Sequence, residues 1–134
     1  MKTLIVEDSF TQRVNLQAML SEYGDVHIAV NGKEAMQAFH QSIFRDDAPY
    51  DLICLDIIMP EMDGQSVLKE IRSMEDRQGI PPGDGAKIVM TTTFHDKDNI
   101  MKAFRTQADA YLVKPIDRAL LISHLKEFGL IPSE

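Results

Sequence analysis

The chain has 134 residues, of which 44% are hydrophobic and 26% are charged, and its formal net charge at pH 7 is −7. That length fits a single domain, residues 1–134, with a sizeable core, and the acidity argues against direct binding of nucleic acid, which requires a basic surface. No apolar run approaches the roughly 18 residues of a membrane span, the N-terminus lacks the layout of a signal peptide, and a single cysteine cannot form an internal disulfide. We therefore expect a cytoplasmic protein that does not insert into membranes.

Five strand-like runs alternate with segments of helical periodicity along the chain. The runs occupy residues 2–6, 26–30, 51–55, 87–91 and 110–113. The segments that follow them carry residues at the i, i+3, i+4 spacing of a helix that buries one face. These residues are Leu16, Met19, Leu20 and Tyr23; Ala35, Ala38 and Phe39; Val67, Leu68, Ile71 and Met74; Ile100, Ala103, Phe104 and the polar Gln107; and Leu121, Leu125 and Phe128. Strand followed by helix, five times over, predicts an α/β fold in which five helices cover both faces of a parallel sheet.

Capping residues and turn formers predict where several elements begin and end. Ser9 and Asp117 stand at N-cap positions, and Gly129 followed by Pro132 ends the last helix. The stretch from Glu75 to Gly85 is rich in glycine and proline, so we expect a long surface loop before the fourth strand. The sequence assigns no function to this loop.

Polar side chains follow four of the predicted strands at the point where each strand ends. Glu7 and Asp8 follow the first strand, Asp56 closes the third, threonines 91–93 end the fourth, and Lys114 ends the fifth. In a parallel sheet these ends meet at one edge, where open α/β folds build their ligand sites. Carboxylates, a hydroxyl and an ammonium at one place suit a magnesium ion and a phosphoryl group.

The carboxylates are the strongest sign of a metal. Three ionised carboxylates within a few ångströms repel one another, so the site must either raise a pKa or recruit a cation. Magnesium takes oxygen ligands and commonly combines one or two carboxylates with a phosphate. Glu7, Asp8 and Asp56 supply such ligands, with the backbone carbonyl of Ile58 as a further one.

Each of these residues also has a purely structural interpretation. Glu7 and Asp8 can be the acids that favour a helix N-terminus, and Asp56 can begin a turn. Lys114 can be an ordinary surface charge, or a cis peptide bond to Pro115 can aim its amine at the sheet edge. The threonines 91–93 also suit a strand by propensity alone.

Other reactive residue types carry no site by their spacing. His27, His40, His95 and His124 lack the spacing of metal ligands. Cys54 lies within an apolar strand, which favours an inert buried thiol over a nucleophile.

The ordered set of strand-end motifs resembles the receiver domain of two-component response regulators. The motifs are Glu7-Asp8 after the first strand, Asp56 with Met59-Pro60 and Asp63-Gly64 after the third, Thr92 after the fourth, and Lys114-Pro115 after the fifth. The resemblance extends across essentially the whole chain, and residues 108–115 are its closest stretch. It implies a flavodoxin-like, doubly wound sheet with strand order 2-1-3-4-5.

The resemblance also implies roles for the strand-end residues. Asp56 would accept a phosphoryl group from a histidine kinase or a histidine phosphotransfer protein. Glu7 and Asp8 would hold Mg²⁺, Lys114 would contact the phosphoryl group, and Thr92 would hydrogen-bond to it.

The output of such a domain is a change of surface. The resemblance implies that Thr92 moves towards the phosphoryl group and that Tyr111 turns inward behind it. This movement would alter the face formed by the fourth helix, fifth strand and fifth helix, near residues 96–107 and 110–125, where a downstream protein would bind. The cognate kinase and the target protein cannot be identified from the sequence.

Two rival interpretations make different demands on the chain. A haloacid-dehalogenase-type phosphatase also uses a strand-end aspartate with magnesium, but it requires a second carboxylate two positions later, where this chain has Ile58. A degenerate receiver that acts as a constitutive interaction module would have lost the acceptor, the acid pair or the lysine, and none is lost. The chain departs from the family at Gln107, where many receivers have glycine, and at Glu7, where aspartate is commoner.

Ile58 and Phe94 are expected to set how long the phosphorylated state lasts. They lie two positions after Asp56 and Thr92, beside the approach of the water that would hydrolyse an acyl phosphate. Apolar side chains neither orient nor deprotonate a water. We therefore expect slow autodephosphorylation, and no enzyme activity beyond this and self-phosphorylation from small phosphodonors.

Overall fold

The computed structural model describes residues 1–59, 62–93, 101–102 and 107–132. One sheet contains five strands, which are β1 (Thr3–Val6), β2 (Val26–Ala29), β3 (Leu52–Asp56), β4 (Lys87–Thr92) and β5 (Ala110–Val113). All neighbouring strands are parallel and their order is β2-β1-β3-β4-β5, which confirms the predicted doubly wound sheet. Every strand boundary lies within one residue of its prediction.

Helices connect the strands on both sides of this sheet. They are α1 (Phe10–Leu20), α2 (Gly32–Phe44), α3 (Gly64–Arg77) and the C-terminal helix (Arg118–Glu127). Of the predicted fourth helical segment, Met101 and Lys102 are helical, whereas Ile100, Ala103 and Phe104 lie outside the described residues. No helix in the described part of the chain is both long and apolar enough to cross a membrane.

Both predicted N-caps are confirmed. The Ser9 hydroxyl accepts a long hydrogen bond of 3.5 Å from the Gln12 amide, and Asp117 accepts from the amides of Ala119 at 2.9 Å and Leu120 at 3.3 Å. These bonds satisfy amides that have no partner within the helix.

Two helix ends differ from the periodicity-based prediction. Tyr23 lies in a separate 3₁₀ turn, Ser21–Tyr23, and Phe128 is the C-cap residue after the C-terminal helix. Both side chains still pack against the core. The pattern of apolar residues therefore continues beyond the end of each helix, because a residue in the following turn can cover the same core surface.

The two faces of the sheet have separate cores, because side chains of a strand alternate between faces. One face packs on α2 and α3, and its cluster includes Leu4, Val6, Phe39, Ile53, Leu55, Val67, Leu68, Ile71, Ile88 and Met90. The other face packs on α1 and the C-terminal helix, with Ile5, Leu16, Leu20, Cys54, Val89, Leu112, Leu121 and Leu125. With both faces covered, the functional groups are confined to the edges.

The prediction that a surface loop begins at Glu75 is wrong. Helix α3 continues to Arg77, and Glu75 is only 5% exposed. Its carboxylate accepts from the Ala86 amide at 2.7 Å and pairs with Arg72 at 2.7 Å. These bonds offset the cost of burying the carboxylate, so the charged residue can remain inside the helix.

Arg72 also reaches the segment before β5. It donates to the Gln107 carbonyl at 2.7 and 3.0 Å and pairs with Asp109 at 3.0 Å. Gln107 has a φ of 72°, a left-handed conformation that favours glycine. The position where the resemblance led us to expect glycine therefore has a backbone conformation that favours glycine, and Arg72 donates to its carbonyl.

Candidate functional site

The predicted acid cluster forms at the carboxyl edge of the sheet. Glu7 follows β1 and is 1% exposed, Asp56 closes β3 and is 5% exposed, and Asp8 is exposed. One carboxylate oxygen from each of the three lies within 4.8 Å of the others. The site thus combines two buried acids with one acid that faces solvent.

Lys114 joins β5 to this cluster. Its ammonium contacts Glu7 Oε1 and lies 3.1 Å from Asp56 Oδ2. Burial by itself lowers the pKa of Lys114, but the hydrogen bond to Glu7 and the negative charges of Asp56 and Glu7 outweigh it, so that the pKa is raised. The Lys114 side chain is therefore charged at neutral pH. It is also only 7% exposed, so it is not an ordinary surface charge. The peptide bond from Lys114 to Pro115 is cis, as one of the two interpretations expected.

Asp56 is held at the strand end by backbone groups. Its Oδ1 accepts from the Ile58 amide at 3.1 Å, and Asp56 pairs in register with Thr91 on β4. Gly64, the first residue of α3, passes so close that a Cβ there would overlap the Asp56 carbonyl oxygen. The Asp63-Gly64 motif thus lets α3 begin directly against the end of β3.

A residue of α1 that the sequence analysis missed, Arg13, contacts the connection between β1 and α1. The Glu7 carboxylate accepts from the Ser9 amide at 3.1 Å. Arg13 donates from Nη1 to the Glu7 carbonyl at 3.2 Å and to the Asp8 carbonyl at 2.9 Å. Helical side chains lean towards the helix N-terminus, and that is the only signal that could have pointed to Arg13.

The donor set fits a magnesium ion. Three carboxylates and one ammonium give the cluster an excess of acidic over basic groups. Carboxylate oxygens are hard ligands that Mg²⁺ prefers. The role of the Ile58 carbonyl as a further ligand stays a prediction.

Thr92 and Tyr111, which were predicted to move together, lie on the neighbouring strands β4 and β5. Thr92 ends β4 and is 3% exposed, and its carbonyl accepts from the Lys114 amide at 2.6 Å. Met90 pairs in register with Tyr111 and faces the same side of the sheet as Thr92, two residues further on. Tyr111 is half-buried and packs against the α2–α3 side of the core. The two side chains therefore share one sheet face.

The residues expected to control hydrolysis are only partly described. Ile58 is 57% exposed, and Phe94 lies outside the described residues. Phe10 and Val14, one helical turn apart at the start of α1, are 71% and 44% exposed. Exposed apolar residues thus lie close in the chain to Asp8 and Asp56.

A shallow groove of about 490 Å³ lies between β5 and the C-terminal helix. Tyr111, Val113, Leu120 and His124 are among the residues that line it. This groove lies in the described part of the face predicted to bind a downstream protein.

Comparisons with known proteins identify relatives of the whole chain. A family model described as the response regulator receiver domain matches residues 3–126. The chain is 33% identical, over 129 residues and 96% of its length, to the hybrid signal transduction histidine kinase L of Dictyostelium discoideum, of which it covers 7%.

Solved structures have the same architecture. A two-component response regulator from Clostridium difficile aligns with a TM-score of 0.78 and 28% identity, covering 96% of this chain and 95% of that one. A second structure is the co-crystal structure of the Saccharomyces cerevisiae phosphotransfer protein Ypd1 with the receiver domain of Ssk1. It aligns with a TM-score of 0.81 and 25% identity, covering 96% of this chain and 88% of that one. The curated relatives are mostly longer proteins, of which the chain spans between 7% and 52% of the length.

Proposed function

The chain belongs to the family of response regulator receiver domains, and we propose that it is a phosphorylation-controlled switch whose acceptor is Asp56. The observation that carries the proposal is the contact of Lys114 with both Glu7 and Asp56 at the edge of the sheet. An amine and carboxylates from the ends of three strands converge there, although buried charges are costly unless they are paired. A constitutive module would have no reason to retain this arrangement.

The proposed reaction uses Asp56 as a nucleophile. A carboxylate oxygen attacks phosphorus, the bond from phosphorus to the donor atom breaks, and the donor leaves with the electron pair. Glu7, Asp8, Asp56 and the Ile58 carbonyl would hold Mg²⁺, which offsets negative charge on the carboxylates and on the phosphoryl oxygens.

Lys114 moves from one anion to another during this step. Its ammonium neutralises the Asp56 carboxylate before the reaction and pairs with a phosphoryl oxygen afterwards. Because the same amine also contacts Glu7, it remains anchored while it exchanges partners.

The proposed donor is a histidine kinase or a histidine phosphotransfer protein. The relatives include a hybrid histidine kinase and a receiver crystallised with a phosphotransfer protein. Phe10, Val14 and Ile58 are exposed apolar side chains near Asp8 and Asp56 in the chain, and such side chains suit the apolar surface of a protein donor. A small phosphodonor would use the acid site alone.

The proposed output passes through Thr92 and Tyr111. Movement of Thr92 towards a phosphoryl oxygen would make room for Tyr111 to turn inward on the same sheet face, which is a two-state change biased by a local charge. The groove beside Tyr111 and Leu120 would then change shape and bind a downstream protein. The proposal includes a cytoplasmic location, no direct contact with nucleic acid and no membrane insertion.

The acceptor can be tested with acetyl phosphate. Wild-type protein with Mg²⁺ and the donor should gain one phosphoryl group, measured as a mass increase of the intact protein. Asp56→Asn should gain none, because the amide preserves shape but is not a nucleophile. Asp51→Asn is the matched control, since Asp51 is an exposed acid just before the other end of β3. Stoichiometric labelling of Asp56→Asn would remove Asp56 from its role.

A further inference from the structure

Arg13 makes an unusual pair of contacts at the acid site. A single nitrogen of its guanidinium, Nη1, donates to the backbone carbonyls of both Glu7 and Asp8. Arg13 lies in the opening part of α1, and its side chain leans back over the strand end, as helical side chains do. The guanidinium therefore spans the turn that carries two of the three site carboxylates.

The stability of α1 does not account for this residue. A cation near a helix N-terminus faces the positive end of the helix dipole. None of the ion pairs found among the described residues includes Arg13. Its guanidinium carbon lies 5.7 Å from the centre of the exposed Phe10 ring, which adds only a weak cation–π contact. The two carbonyls are the main partners of the side chain.

The effect of these bonds differs between the two acids. The Glu7 carboxylate is fixed by Lys114 and by the Ser9 amide. The Asp8 carboxylate is exposed and accepts no hydrogen bond from the residues that the structure describes. Its direction therefore depends on the backbone from which it projects, and Arg13 holds the carbonyl of that backbone.

We propose that Arg13 is a positioning residue for the metal ligands, which fixes the Glu7–Asp8 backbone so that the Asp8 carboxylate points into the magnesium site. This inference rests on the proposed function. Groups that orient metal ligands typically contribute about 10- to 100-fold in metal affinity.

Charge alone predicts the opposite result. The guanidinium is a cation beside a site for a dication, so removing it would strengthen Mg²⁺ binding if repulsion were its only effect. The sign of the change in affinity therefore separates positioning from electrostatic repulsion.

The test is a magnesium titration of the metal-free protein by calorimetry. Arg13→Ala should bind Mg²⁺ about tenfold more weakly than wild type. Arg13→Lys should fall between them, because it retains a charge and a donor but not the planar guanidinium. Arg118→Ala is the matched control, since within the described part of the chain this arginine pairs only with the exposed Glu22, in the turn after α1.

Two further readouts guard against a general loss of structure. Melting without metal should show that Arg13→Lys is folded, and excess Mg²⁺ should restore the rate at which Arg13→Ala is phosphorylated by acetyl phosphate. Equal or tighter Mg²⁺ binding by Arg13→Ala, or a rate that excess Mg²⁺ does not restore, would overturn the inference. If wild type itself binds no Mg²⁺, both the proposed function and this inference are wrong.

Discussion

Exposure differs sharply among the residues around the acceptor. Asp56 and Glu7 are buried and bonded to Lys114, whereas Asp8 and Ile58 face solvent. Buried groups keep one geometry, which suits a nucleophile and its anchor. An exposed side chain can affect what approaches the site, and the prediction for Ile58 is that it affects the water that would hydrolyse an acyl phosphate.

A polar residue at position 58 should shorten the life of the phosphorylated state. We expect Ile58→Asn to lose its label faster than wild type after the donor is removed, because the amide can orient a water. Adding Phe94→Glu supplies a proton acceptor as well, and the gain should reach on the order of a hundredfold. Ile28→Asn, the same change on the half-exposed edge strand β2, should leave the decay unchanged. Equal decay in wild type and both site variants would show that these side chains do not control hydrolysis.

Among the elements, α3 runs from the carboxyl ends of the strands to their amino ends. It begins against Asp56, where Gly64 makes the close approach, and its last turns carry Arg72 and Glu75 near the start of β4. There Arg72 pairs with Glu75 and Asp109 and donates to the Ala86 carbonyl. With two further bonds to the Gln107 carbonyl, all five N–H groups of the Arg72 guanidinium donate to protein acceptors. This cluster therefore joins α3 to the segments that precede β4 and β5.

Removing Arg72 should destabilise the fold far more than removing an exposed arginine. Arg72→Ala leaves Glu75 buried without its partner, which should lower the free energy of unfolding by about 3 kcal/mol. Arg118→Ala breaks an ion pair whose side chains are more than half exposed, and it should cost less than about 1 kcal/mol. Urea denaturation of the two variants gives the comparison. A cost for Arg72→Ala no larger than that for Arg118→Ala would mean that the junction contributes nothing specific.

At the scale of the whole molecule, the sheet is covered on both faces, and its centre holds the one cysteine of the chain. Cys54 lies in β3 and is 1% exposed, and burial raises the pKa of its thiol to about 12. The folded protein thus keeps the thiol protonated where the unfolded chain, with an ordinary value of 9.0, releases the proton. The sign follows directly, because a group whose folded pKa is raised makes the fold less stable as pH rises above its unfolded pKa.

Stability should therefore decline from about pH 9 upward. One unit above the unfolded pKa, at pH 10, the loss attributable to Cys54 should be about 1.4 kcal/mol relative to neutral pH. Cys54→Ala should show a smaller decline over the same interval, when midpoints of urea unfolding are compared at pH 8 and pH 10. In native protein a thiol reagent should react only as fast as the fold opens. Parallel pH profiles for the two proteins, or rapid labelling without unfolding, would contradict the buried position of the thiol.

Much of this molecule could be predicted because its signals are local in the chain. Apolar runs interrupted by a carboxylate or an amine placed Asp56, Glu7 and Lys114 at strand ends, and side-chain periodicity identified both covered faces. Such signals depend on a few consecutive residues and need no knowledge of what packs against them. The resemblance to receiver domains then supplied the strand order, which the periodicity could not.

The partners of the charged groups were decided only by the tertiary structure. Lys114 is 107 residues from Glu7 and 58 from Asp56, and Arg72 is 37 from Asp109. Glu75 was predicted in a loop because the glycines and prolines after it suggested one, and only its buried bonds with Arg72 and Ala86 keep it in α3. The sequence does not distinguish a charged side chain that faces water from one that pairs with another charge. Which of these it meets is determined when strands and helices from distant parts of the chain pack together, and that packing is also what brings Arg13 over the Glu7–Asp8 turn.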